Sequence, residues 1–122
     1  MKLEVGMYVR VNKNIRKICI GIGKIEKIYQ DTIYVDMKHN LPTSFQIDEI
    51  SNASNDITDL IECLDIVELY VIGLEEDNIT TLKRAETLGE LKELKNFIKR
   101  GAKIKSITTK EQFESMSYKV KE

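Results

Sequence analysis

The chain has 122 residues, of which 42% are apolar and 32% charged, with a formal net charge of −1. That length suits one domain or two very small ones sharing a core, and the balance excludes a disordered chain. No apolar run approaches the ~20 residues of a membrane helix, so no membrane association is expected.

Strand signals open the chain. Met7, Val9 and Val11 alternate with Tyr8 and Arg10; Ile18, Ile20 and Ile22 alternate with Cys19 and Gly21; Ile33, Val35 and Met37 alternate with Thr32, Tyr34 and Asp36. Period-two alternation places apolar side chains on one face of a sheet. Gly21-Ile22-Gly23 is followed by more strand and not by a helix, so these glycines bend the strand at a barrel corner rather than cradle a phosphate. Gln30-Asp31 is a polar turn, and Lys38–Pro42 a loop. Ser44–Ile50 reads as a further strand with Phe45 and Ile47 facing inward. A meander of this rhythm must hide its edges, and residues 1–52 are expected to form a small closed barrel of SH3-like type.

Ser51–Asp56 is polar and reads as a linker. The remainder, 53–122, is expected to be a smaller β region, packed with the first as one unit. Ile57, Leu60, Ile61 and Leu64 have helical spacing and suggest one helical turn feeding a strand over 65–74. Glu75–Asn78 then forms a hairpin loop, and Ile79–Leu82 the returning strand. The clearest helix is 88–100: Thr87-Leu88-Gly89-Glu90 is a capping box, Leu88, Leu91, Leu94 and Ile98 form an apolar stripe with Phe97 beside it, and Gly101 suits the left-handed position after the last turn. This helix is expected to cover the second sheet, with a homodimer contact through it as the alternative to a monomer. Thr108-Thr109-Lys110-Glu111 reads as a second capping box opening a short C-terminal helix, and Tyr118–Val120 as a last strand. The fold class is therefore β-rich α+β.

Motifs for chemistry are sparse. His39 is the only histidine, with no partner set for zinc or for general base catalysis. There is no GxSxG, P-loop or HExxH. No catalytic residue, metal or cofactor is expected, and the protein is read as not an enzyme. Cys19 and Cys63 lack a CxxC partner and are expected to be reduced apolar fillers in a cytoplasmic protein.

Charge is partitioned. Residues 1–52 sum to +2, 53–80 to −8 without a single base, and 81–122 to +5. The acids Asp56, Asp59, Glu62, Asp65, Glu68, Glu75, Glu76 and Asp77 are a candidate partner-binding surface, suited to a basic cleft such as one that normally holds nucleic acid. The alternative site is basic. Lys13, Arg16, Lys17, Lys24 and Lys27, interleaved with Tyr8, Tyr29 and Tyr34, offer phosphate contacts and stacking surfaces for nucleic acid.

Leu3-Glu4-Val5-Gly6-Met7-Tyr8-Val9-Arg10, Ile57-Thr58-Asp59-Leu60-Ile61-Glu62 and, most specifically, Ile104–Met116 resemble a largely uncharacterised family of small proteins from phages and prophages of Gram-positive bacteria. The chain departs from that pattern at Cys63–Val67 and in carrying the 88–100 helix. The resemblance implies a phage accessory protein in the cytoplasm of the bacterial host. By analogy with other small phage proteins it implies a non-enzymatic inhibitor of host defence, anti-CRISPR-like, that binds and blocks a host protein or nucleoprotein complex through its acids. A nucleic-acid-binding module using the basic barrel is the alternative.

Overall fold

The computed structural model describes residues 2–12, 20–37, 43–70 and 79–116. They form a β-rich α+β protein with two antiparallel sheets and two short helices. The chain divides into two compact units between Leu60 and Ile61. The boundary expected near residue 52 thus lies eight residues further on.

In the first unit, β1 (Tyr8–Val11), β2 (Gly21–Tyr29), β3 (Thr32–Asp36), β4 (Thr43–Gln46) and β5 (Asn52–Ser54) pair in the order β4-β3-β2-β1-β5. The alternation read from the sequence sets the faces of β1 and β3; in β2 Ile22, expected inward, stands across from Arg10, and Gly21, Gly23 and Ile25 face the core instead. Val9, Val11, Ile25, Ile33, Val35 and Phe45 point inward and, with Ile50, make the core. Each such side chain contributes roughly 1.5–3 kcal/mol when fully buried. Gly23 sits against β3 so closely that a Cβ would lie 2.5 Å from Val35 Cγ1 and 2.7 Å from the Asp36 carbonyl oxygen. Its role is close strand approach, a more specific one than the corner expected of it.

Two expectations for this unit change. The predicted strand over 44–50 stops at Gln46, because Ile47–Glu49 coil into a 3₁₀ turn. Glu49 Oε1 accepts the Gln46 N–H at 3.0 Å, and the Ile50 N–H returns to the Ile47 carbonyl. Ile47 is consequently 45% exposed instead of inward. The predicted linker contains β5, which pairs with β1 through Tyr8↔Ser54, Val9↔Ala53 and Arg10↔Asn52. Backbone groups supply that ladder, so polar side chains do not prevent it. The sheet is not a closed barrel: β4 and β5 are its two edges and do not pair with each other. Both edges are short, which limits the unpaired backbone they present.

The second unit contains β6 (Ile66–Tyr70), β7 (Thr80–Arg84), α1 (Leu88–Lys99), β8 (Ile104–Thr108) and α2 (Lys110–Met116), with the sheet in the order β7-β6-β8. Thr87 Oγ1 accepts the Glu90 N–H and starts α1; Gly101 ends it at φ 123°. Ile98, Leu91 and Leu94 pack on Ile61, Val67, Leu69, Ile104 and Ile107, so α1 covers the sheet as its stripe predicts. Leu88, predicted on the same stripe, is 79% exposed. The second capping box is displaced by one residue from its predicted place. Thr109 Oγ1 accepts the Gln112 N–H while Gln112 Oε1 accepts the Thr109 N–H. Thr108 is still in β8, where it pairs with Ile66, and so is not available to cap. The expected strand over 118–120 and the loop over 75–78 lie outside the described residues.

Candidate nucleic-acid interface

Tyr8, Lys24, Lys27, Tyr29 and Tyr34 share the outer face of the first sheet. Position two residues apart on a strand means the same face, and the register makes these residues neighbours. Lys24 stands across from Tyr8, Lys27 across from Tyr34, and Tyr29 across from Thr32. The Lys24 ammonium lies 5.7 Å from the Tyr8 ring centre. The Lys27 ammonium lies 6.0 Å from both the Tyr29 and the Tyr34 ring centres. Lysine and tyrosine at these distances attract through the ring quadrupole. Both lysines and Tyr29 are exposed, while Tyr8 and Tyr34 are half-buried.

A bulge creates this pattern. Strict alternation along Lys24-Ile25-Glu26-Lys27-Ile28-Tyr29 would put Lys27 and Tyr29 on the face of Ile25, inside the core. Instead the pairing steps from Ile25↔Val35 to Lys27↔Tyr34 and leaves Glu26 without a partner on β3. The extra residue resets the phase, as bulges do. Ile28 then turns toward the core, where it packs against the buried cluster. Glu26 is exposed beside Lys27, and Asp36 stands across from Lys24, so the face carries anionic as well as cationic groups.

Arg10, two residues from Tyr8 on β1, falls on the same face, but there the face is covered. It is fully buried, with Nε donating to Asn12 Oδ1 and one terminal nitrogen donating to the Leu60 carbonyl, both at 2.8 Å. It ties β1 to the 3₁₀ turn Ile57–Leu60. The remaining basic candidates, Lys13, Arg16 and Lys17, lie outside the described residues, as does His39.

The acidic candidates are dispersed in role. Asp56 and Asp59 are exposed in the first unit. Asp56 Oδ1 accepts the Thr58 N–H and Asp59 Oδ2 accepts the Ser54 hydroxyl. Glu62 lies 3.5 Å from Lys110 Nζ in the second unit. Asp65 is 1% exposed, with Oδ2 accepting the Glu62 N–H and Oδ1 the Lys110 N–H. It serves the fold and offers no surface to a partner. Glu68 accepts the Thr80 and Ser106 hydroxyls from the strands on either side, and these bonds hold its carboxyl below the usual range, Thr80 foremost. Glu75, Glu76 and Asp77 lie outside the described residues.

No family model matches the chain, and comparison with curated proteins and with solved structures returns no match.

Among the described residues no three His, Cys, Asp or Glu side chains gather as a metal-binding group, and Cys63 is a free thiol. No described helix is long and apolar enough to cross a membrane. The second unit has an open groove of about 470 Å³ where Lys83, Arg84 and Arg100 meet Glu90, Glu93 and Phe97. The burial of Arg10 and Asp65 was not legible in the sequence. Both are charged residues in strand-like or turn-like polar contexts, and only their distant backbone partners reveal their role. The position of Glu26 was also missed, though the apolar spacing Ile25–Ile28, three residues instead of two, was a signal of the bulge.

Proposed function

We propose that the protein binds nucleic acid through the outer face of its first sheet. The supporting observation is the interleaving of Tyr8 with Lys24, and of Lys27 with Tyr29 and Tyr34, on one sheet face where both lysines and Tyr29 are exposed. Tyrosine rings supply stacking area that is indifferent to sequence, and ammonium groups between them meet phosphates. The return of β5 to β1 favours viewing this unit as an SH3-like small barrel opened along one seam, a scaffold that leaves such a face free. The activity is binding without catalysis.

The test is fluorescence anisotropy with a labelled oligonucleotide, the full chain, and salt from 20 to 200 mM. Two phosphate contacts to a single strand contribute about −1.4 to the slope of log K against log salt. Replacing Lys24 and Lys27 by alanine together is expected to weaken binding and flatten the slope by about that amount. An unchanged slope would remove the two lysines from the interface.

A second reading keeps the acids as the working surface, in a phage accessory protein that blocks a host-defence complex. The exposure of Asp56 and Asp59 favours it. Asp56→Lys with Asp59→Lys is then expected to abolish capture of the host complex while nucleic-acid binding persists.

A further inference from the structure

We infer that the ligand of the tyrosine face is single-stranded, RNA or DNA, held with one splayed base on each of Tyr8, Tyr34 and Tyr29. This rests on the nucleic-acid reading above and adds the form of the ligand to it.

The register carries the inference. Along β3 the three tyrosines fall in successive rows: Tyr8 is in the row of Lys24 and Asp36, Tyr34 in its own row with Lys27, and Tyr29 in the row of Thr32. The rows are two residues apart, which is about 7 Å at the rise of an antiparallel strand. Bases in a duplex are about 3.4 Å apart along each strand and cover one another's faces. Rings in rows at twice that spacing cannot each meet a base of a stacked helix. They suit bases that have separated, which only an unpaired strand presents. The Lys27 ammonium is 6.0 Å from the centres of both the Tyr29 and the Tyr34 rings. A phosphate joining the bases on those rings would therefore pass beside its ammonium. Lys24 stands 5.7 Å from the Tyr8 ring centre, a single ring, and would meet a phosphate beside the base held there.

The experiment measures binding of the full chain to three labelled 12-mers, each in ribose and deoxyribose form: a single strand, the same strand annealed to its complement, and a single strand with abasic sites throughout. The intact single strand is expected to bind at least tenfold more tightly than the other two. Tyr29→Ala and Tyr34→Ala are each expected to weaken it about tenfold, since stacking contributes on that scale per base. Tyr29→Phe and Tyr34→Phe, which keep the ring, are expected to restore most of the affinity. Equal binding of intact and abasic strands, or of single strand and duplex, would overturn the inference and leave backbone recognition by the lysines standing. Absence of binding to every 12-mer at 20 mM salt would overturn both.

Discussion

Asp65 and Lys110 are 45 residues apart, yet the Asp65 carboxylate accepts the Lys110 backbone N–H at 3.0 Å. Its other oxygen accepts the Glu62 N–H at 2.7 Å, and the Lys110 ammonium reaches back to Glu62. One buried carboxylate thereby joins the turn before β6 to the start of α2. The hydrophobic cluster of this unit has four buried members, together on the order of 8 kcal/mol before any entropy is counted. Against so small a core a polar tie matters.

Asp65→Ala is expected to destabilise the second unit by roughly 1–3 kcal/mol, because two partly buried N–H donors lose their acceptor and can regain only part of it from water. Asp65→Asn keeps the shape and one acceptor oxygen, and is expected to cost about half as much. Urea unfolding followed by circular dichroism measures both. Equal loss for the two variants would mean that packing, and not the paired hydrogen bonds, sets the cost.

Glu68 gives the second unit an acid sensitivity. The Thr80 and Ser106 hydroxyls lower its folded-state pKa. A depressed carboxylate contributes stability above its unfolded pKa and loses it as pH falls through the folded value. The wild type should therefore lose stability between about pH 5 and pH 3, and Glu68→Gln should lose less over that interval. Thermal unfolding at pH 7, 5 and 3.5 checks this. Parallel curves for the two proteins would dismiss Glu68 as the cause.

Gly23→Ala probes the tight approach of β2 to β3. The new methyl would meet side-chain and backbone atoms of β3 at 2.5–2.7 Å, and backbone cannot swing aside as a flexible side chain can. The expected loss is about 2 kcal/mol or more, in line with overpacking. A midpoint within experimental error of wild type in urea would show that the strands can part at no cost.

Glu26→Gln is expected to tighten nucleic-acid binding about twofold at low salt and to have little effect at 200 mM. A single exposed charge near Lys27 repels a phosphate weakly through water, and salt screens it. Anisotropy titrations at both salts measure the effect. Weaker binding of the variant would place Glu26 in contact with the ligand instead.

Much of the fold was legible because strand and helix signals are local. Alternating valines and isoleucines set β1 and β3, and Thr87, the leucine stripe and Gly101 set α1 to within one residue; in β2 the alternation read at Ile18–Ile22 gave Ile22 the wrong face. The tyrosines and lysines of the interface were named from sequence too. The capping of α2 was misplaced by one residue because Thr108 and Thr109 are equivalent until pairing with Ile66 commits Thr108 to the sheet.

The order of residues by itself determined where the chain extends, where it coils and which side chains seek a core, since each depends on neighbours a few positions away. Tertiary structure alone decided that Asn52–Ser54 would join β1, that Asp65 and Arg10 would be buried, and that Lys27 would stand opposite Tyr34 with Glu26 pushed out of step. Those outcomes depend on hydrogen-bond partners and registers set across the sheet, and for β5 with β1, Arg10 with Leu60 and Asp65 with Lys110 the two members lie more than 40 residues apart.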